Sequence, residues 1–534
     1  MNVRRGKSCG TCHNENSLAA QVVEMDVFSM LPVAKSGQVS ATASDATAGQ
    51  TVVVESQSAI IQEFYPYFPS LLKWEKTRAD FNAPKVCAQC HKDQYEDWSG
   101  SMHALAFKDP LYQGELNAAV KAIGNDNARQ CEGCHTPAAV VKGEVRGAGF
   151  KGLGDLAMTG VSCDVCHSVS GHTHWETPYH QPGNGSLILS PGKDTVSGAV
   201  LTKYGPANTR YVPRKTENGV AAGFHECTES PLHLSSELCA SCHQIYHYKT
   251  DTPLESTYTE WKNGPYRVNN IQCQDCHMVD NETFKRSADE FKKPSRNEYH
   301  HYFNGANFLL YYLNELAAKR SGDGKQAENA LQKYEMAVAR LQSAGAIEVV
   351  PVYDKGRLSE IKVRVKNIRA GHNLPTSLST IRQMWLEVTV KDEGGQVLST
   401  SGTIGGKTGL PRNTRVFNSK GQSRDFKETI DPWEITSFAR HSTIPPRGYR
   451  DVYYPVPSLA VTTGATGGLN TATGRLTFEV KLRYRQADQE VAEKLLGLLP
   501  EDINLEEIYG IKEIPPLPII DMVETTVVLN STEP

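Results

Sequence analysis

The stretch Cys87-Ala-Gln-Cys-His91-Lys-Asp-Gln-Tyr-Glu-Asp-Trp-Ser-Gly-Ser-Met-His103 places two thiols and two imidazoles within seventeen residues. Its opening pentapeptide, Cys-x-x-Cys-His, recurs at Cys9–His13, Cys131–His135, Cys163–His167, Cys239–His243 and Cys273–His277. That spacing suits covalent attachment of haem c: the thiols add across the vinyl groups, and the His that follows meets the iron from the proximal side. Six copies use twelve of the thirteen cysteines. Zinc or disulfides would leave the constant final His without a purpose. The sequence therefore implies six haem c groups, bound through Cys9, Cys12, Cys87, Cys90, Cys131, Cys134, Cys163, Cys166, Cys239, Cys242, Cys273 and Cys276. His13, His91, His135, His167, His243 and His277 are the proximal ligands.

What such an iron does depends on its other face. A second imidazole closes it for electron transfer, whereas an open face can bind a small molecule. Eleven of the seventeen histidines are not proximal, a surplus over six positions. Six are the distal candidates: His103, His174, His225, His233, His301 and His372. His103 follows His91 by twelve residues, on a helix leaving that site. His225 and His233 precede the fifth motif, and His301 opens a helical pair. His372, in Gly-His-Asn-Leu-Pro-Thr, sits on a loop between strands, from which it could reach a neighbouring haem. His172, His174 and His180 compete for a place, and His174 is taken. His441 reads as a surface residue. Cys227, outside the motifs, reads as a small buried residue.

The motifs also divide the chain. Residues 1–80 form an N-terminal arm carrying the first haem, with a Thr51–Val54 strand and an aromatic run from Phe64. Residues 81–300 form a five-haem core of short helices and loops, with too little polypeptide to wrap each macrocycle alone, so the haems must share walls. Residues 301–345 form a helical pair, the second helix showing apolar positions with a period near 3.6. Residues 346–534 alternate as β-strands at Ile361, Trp385, Asp451 and Leu476, separated by Gly-rich turns, and close with a helix around Gln489–Leu499 and a strand at Val523–Leu529. The fold class is thus multidomain: a mostly helical, haem-packed core, a helical pair and an antiparallel β-sandwich.

The hydrophobic fraction, 39%, is low for a globular chain, which haem faces filling the core would explain. The formal charge of −4 grows more negative with two propionates per haem and excludes a basic nucleic-acid surface. No apolar run is long enough to span a membrane. The first seven residues carry charge with no hydrophobic region behind them, so no signal peptide is expected within this sequence. Since haem c is attached outside the prokaryotic cytoplasm, the expectation is a removed leader and a periplasmic, cell-surface or extracellular protein.

The contexts of the motifs resemble the bis-His multihaem cytochromes c, the superfamily of hydroxylamine oxidoreductase, its tetrahaem electron acceptor and extracellular cytochromes of metal-reducing microbes. The resemblance is carried by Cys87–His103, by Gly160-Val-Ser-Cys-Asp-Val-Cys-His167, by Ser236-Glu-Leu-Cys-Ala-Ser-Cys-His243 and by Gln272-Cys-Gln-Asp-Cys-His-Met278. Gly371–Thr376 with Arg382-Gln-Met-Trp-Leu386 is similar to the start of a sandwich appended to some members. The resemblance covers roughly residues 84–530 and departs at the N-terminal haem. By likeness to cytochromes that polymerise, that haem could extend a haem row into the next subunit.

Together these features imply electron transfer through six haems, without catalysis, by an extracytoplasmic protein, with assembly into a filament as the more specific expectation. Its partners would be other redox proteins or copies of itself. The alternative is an oxidoreductase acting on nitrite, hydroxylamine or tetrathionate, but no Cys-x-x-Cys-Lys motif marks a catalytic haem.

Overall fold

The computed structural model describes residues 72–74, 79–191, 193–194, 202–207, 225, 227–405, 409–456 and 474–533. All belong to one compact unit, Ile60–Pro534. The first haem motif, the Thr51–Val54 strand and the aromatic run from Phe64 lie outside the described residues.

Short helices carry most of the motifs. They are α1 (Lys92–Trp98), α2 (Pro110–His135), α3 (Cys163–His167), α4 (Ser236–Ala240), α5 (Thr257–Lys262), α6 (Cys273–His277) and α7 (Asn281–Glu290). Local chemistry starts them. Ser235 caps α4 by accepting from the Glu237 amide at 3.1 Å, and Gln272 with Asp275 forms a reciprocal capping box on α6. Two small strands, β1 (Lys203–Gly205) and β2 (Cys227–Glu229), pair in parallel beside α3. Cys227 is half-buried there rather than enclosed, because β2 lies at the margin of a two-stranded ribbon.

The longest of these helices is α2, two helical arms that meet at a kink at Gly124. Pro110 at its first turn and Asp109, whose carboxylate accepts from Leu111 N at 2.9 Å, fix its start. No proline interrupts the interior, and Leu116, Ala119 and Ala128 bury on one side. Its 26 residues break only at Gly124, whose φ of 78° is open to glycine. The final turn delivers Cys131–His135.

Helices α8 (Leu309–Ser321) and α9 (Gly324–Ala344) follow, joined at Gly322 and Asp323. On α9 the buried positions Ala327, Ala330, Lys333, Ala337, Arg340, Leu341 and Ala344 recur every three or four residues. Two of them are cations, which an ordinary core face would not carry.

Two antiparallel sheets complete the unit. One has the order β3 (Gly345–Asp354), β4 (Arg357–Asn367), β7 (Tyr449–Pro455); the other runs β6 (Val397–Ser401), β5 (Gln383–Lys391), β8 (Arg475–Arg485), β9 (Ile520–Asn530). The side-chain period of two turns Ile361, Val363 and Val365 of β4 and Phe478, Val480 and Leu482 of β8 into one core. Phe308, Tyr311, Ala337 and Leu341 from the α8–α9 region join the same core. Helix α10 (Gln489–Leu496) packs on α2, where a Cβ on Gly114 would collide with the Leu495 backbone. The appended sheets are thereby tied to the motif-bearing half.

Candidate haem-binding centre

Two imidazoles bound trans to one metal, each by a bond of about 2 Å, with about 1.1 Å more from nitrogen to ring centroid, have centroids roughly 6.3 Å apart. That spacing recurs at four proximal histidines. The ring centroids of His91 and His225 lie 6.1 Å apart, those of His243 and His103 6.2 Å, and those of His277 and His372 6.1 Å. His167 has two neighbours, His233 at 6.0 Å and His301 at 6.4 Å.

The backbone aims the proximal rings. His135 Nδ1 meets Ala106 O at 2.8 Å, His167 Nδ1 meets Tyr204 O at 2.7 Å, and His277 Nδ1 meets Asn304 O at 2.7 Å. His243 Nδ1 faces Glu255 Oε1 at 3.5 Å. Each contact engages Nδ1 and leaves Nε2 out of it, the usual outer-shell arrangement of a metal-bound imidazole.

Equally specific contacts place the distal rings. Phe303 packs on His103 at 4.4 Å. Asp97, near the end of α1, accepts from His301 N at 3.1 Å and meets His300 Nδ1 at 3.1 Å. His372 sits on the loop between β4 and β5. Asn367 Nδ2 donates to His372 O at 2.8 Å, while Asn373 N and Thr376 Oγ1 donate to Glu260 of α5 at 3.1 and 2.6 Å. The sheet loop is thus pinned to the haem-motif half.

His233 differs. Its Nε2 lies 2.9 Å from the carbonyl oxygen of Cys166, in the helix that carries His167. Both neighbours of His167 keep one buried ring nitrogen without a hydrogen-bond partner, Nδ1 of His233 and Nδ1 of His301. His174 faces no proximal ring: its Nε2 meets Ser241 Oγ at 3.1 Å and it stacks on His172 at 3.9 Å.

Among the described residues, no histidine ring stands at bis-imidazole spacing from His135. Tyr112 stacks on it instead, at 3.7 Å and 5° between planes, with a buried hydroxyl that has no hydrogen-bond partner. At this position α2 brings a tyrosine, one helix segment earlier, against its own terminal histidine. The Cys9–His13 site lies outside the described residues.

The motifs also touch one another. The Cys87 and Cys163 thiols are hydrogen-bonding neighbours, as are Cys134 with Cys242 and Cys239 with Cys273. Cys166 lies within electrostatic range of Cys242. The attachment points of the five described sites therefore form one connected set.

These residues fit haem c. Burial pushes His103 and His277 down to about 3 and His135 and His301 to about 4, leaving neutral imidazoles of the kind iron binds. The unpartnered Nδ1 atoms of His103 and His301 lie in protein interior, where an unsatisfied nitrogen is costly unless a ligand takes it. At His243 burial opposes charge, but the Glu255 carboxylate prevails and raises it to about 9.

Motif spelling alone did not mark several supporting residues. Asp164, inside the fourth motif, is buried with Lys203 on its carboxylate and accepts from Asn82 N at 2.6 Å. Asp275, inside the sixth, accepts from Gln272 N at 2.8 Å and from the Tyr299 hydroxyl at 2.6 Å. An acid between two haem cysteines was the available signal. Tyr112, Glu255 and Arg340 carried none, since their roles come from long-range packing.

Comparison with known proteins bears on the fold and on the motif-bearing segment. The family described as cytochrome c554 and c-prime matches residues 86–168, which hold three of the motifs. Cytochrome c-554 of Nitrosomonas europaea is 26% identical over 186 residues, 34% of this chain and 65% of that protein. The crystal structure of a penta-heme cytochrome c552 from Thermochromatium tepidum superposes with a TM-score of 0.55 at 17% identity, covering 84% of this chain and 99% of that one. The chain therefore has the fold of a multihaem c-type cytochrome, and its matched segment carries the sequence pattern of the cytochrome c554 family.

Proposed function

We propose that this protein is an electron carrier whose six Cys-x-x-Cys-His motifs bind six haem c groups. The recurrence of imidazole pairs 6.0–6.4 Å apart supports this reading most directly. Bound haem c supplies one-electron redox chemistry. The protein's residues do the rest: His225 opposes His91, His103 opposes His243, His301 or His233 opposes His167 and His372 opposes His277. His233 braces the Cys166 carbonyl, and the closeness of the cysteine attachment points, whose sulfurs the haems would take up as thioethers, brings neighbouring sites near enough for electron exchange. The reading includes an extracytoplasmic location, with other redox proteins or further copies of the chain as partners. Assembly into an extracellular filament through the N-terminal haem is the more specific form of it. No helix among the described residues is long and apolar enough to cross a membrane.

One observation favours a second reading at a single site. His135 has Tyr112 beside it and no facing histidine, an arrangement that leaves the opposite coordination position for a small ligand such as nitrite or hydroxylamine. Optical and EPR spectra of the haem-loaded protein, with and without CO, cyanide, nitrite and hydroxylamine, separate the readings. Low-spin iron throughout, with no ligand response, supports a pure carrier. One responsive high-spin iron, joined to turnover, supports an enzyme built on the His135 site. Several responsive irons would refute the carrier.

A further inference from the structure

Two buried groups of opposite charge stand behind two neighbouring proximal histidines. Behind His243 is the Glu255 carboxylate, 5% exposed and 3.5 Å from Nδ1. Behind His277 is the Arg340 guanidinium, also 5% exposed. Arg340 projects from α9 and donates to Cys276 O at 2.7 Å, Asn304 O at 3.0 Å, Val279 O at 3.0 Å and Asn281 Oδ1 at 3.2 Å. Among the described residues no carboxylate forms an ion pair with it, and the Asp280 carboxylate acts on it only at longer range. The two sites adjoin through the Cys239 and Cys273 thiols.

We propose that Glu255 and Arg340 set the adjoining His243 and His277 sites at different reduction potentials, low and high respectively, so that an electron moving between them runs toward the His277 site. The inference rests on the carrier reading above and adds a direction to it. A carboxylate accepting from Nδ1–H gives the imidazole more anionic character and favours ferric iron. A guanidinium nearby does the reverse, since ferric iron carries one more positive charge than ferrous. Arg340 acts a second way with the same sign. The Asn304 carbonyl that accepts from His277 Nδ1 also accepts from Arg340, so it draws less on the imidazole proton. Moving one electron from the His243 site to the His277 site oxidises one iron and reduces the other, with no bond made or broken and no proton moved. Glu255 and Arg340 are positioning residues, acting through the imidazoles they face.

The test is a spectroelectrochemical titration of fully haem-loaded wild type, Arg340→Gln, Asn281→Asp and Glu255→Gln. Arg340→Gln should move one component toward lower potential by roughly tenfold in its equilibrium constant, or about 59 mV for one electron. Asn281→Asp keeps the guanidinium in place but sets a carboxylate against it, and should move the same component in the same direction. Glu255→Gln should move a different component upward. Should Arg340→Gln fail to load its haems, the other two variants decide. The proposal is overturned if Asn281→Asp and Glu255→Gln both titrate as wild type, or if Arg340→Gln shifts a component that Asn281→Asp leaves alone, since that outcome assigns Arg340 a purely structural role. Failure of the carrier reading would look different: the wild-type protein itself would lack reversible one-electron components.

Discussion

Substituting Gly160 by alanine should open an iron that the residue never touches. Gly160 precedes the fourth motif with φ +58°, and a Cβ there would press into the carbonyl oxygen of His103 and lie 3.3 Å from Ala104 O and Ala106 N. These are backbone atoms, so no side chain can swing aside. The left-handed conformation costs a non-glycine residue about 1–2 kcal/mol. Forcing the segments apart also stretches the Val161 N–His103 O hydrogen bond, now 2.9 Å and worth about 0.5–1.5 kcal/mol. Reduced freedom of the unfolded chain returns about 0.4–1 kcal/mol. The net loss is about 1–3 kcal/mol, but the displacement matters more. The His103 backbone must retreat on the order of 1 Å, and a metal–imidazole bond of about 2 Å cannot absorb that. His103 stands 6.2 Å from His243, so the iron between them should lose its second imidazole. Haem content by mass spectrometry, the low-spin fraction by EPR and the urea midpoint read the three parts of the argument. A fully loaded Gly160→Ala protein with wild-type low-spin content and midpoint would refute it.

Other perturbations reach different parts of the molecule. Lys203→Met strands the buried Asp164 carboxylate and should cost about 3–5 kcal/mol, visible as a lowered urea midpoint; combining it with Asp164→Asn should recover part of the loss. His372→Ala should leave every haem attached but convert one iron from low to high spin, which EPR and CO binding would detect. Glu115 predicts a pH effect. Burial, then the Asp431 carboxylate, raises its folded pKa to about 7. As pH climbs from the ordinary value of 4.5 toward 7 the unfolded chain releases this proton while the folded chain keeps it, so stability drains away in that window. Glu115→Gln should therefore gain on wild type, by on the order of 1–2 kcal/mol, between pH 4.5 and 7. Urea midpoints at pH 5 and 8 give the comparison, and a constant difference would refute the assignment.

The parts legible in the sequence are those written in local code. Covalent haem attachment needs two thiols and an imidazole at fixed spacing, so the motif positions stand in the text. The period of two in β4, β5, β7 and β8 and the period near 3.6 in α9 are likewise local. Partnership across an iron is not. His103 lies twelve residues from His91 yet faces His243, because α1 and the turn through Gly100 carry it away from the nearer site. His174 had a favourable position but spends its Nε2 on Ser241, and His233 spends its own on Cys166. A histidine surplus can be counted from sequence, but which nitrogens remain available depends on hydrogen bonds made by distant segments. The Tyr112–His135 stack was hidden for another reason: the two residues meet only because the non-helical Gly124 turns the second arm of α2 back toward the first, and the angle of that turn is not written in local sequence.

The half of the chain without cysteines consequently has more to do than cover the haem motifs. Around His277 the facing imidazole comes from the β4–β5 loop, the charge behind it from α9, and the carbonyl it bonds from the segment just before α8. None belongs to the run of five motifs. The α8–α9 region also shares its hydrophobic core with both sheets, so moving the sheets relative to α9 would disturb His372 and Arg340 together. A site assembled in this way cannot form while the chain is still short: the Cys273–His277 segment must wait for the loop that carries His372, 95 residues after His277. The sandwich then acts as the frame that closes the His277 site, and interface mutations between α9 and β9 should perturb the spectrum of that site before they unfold the protein.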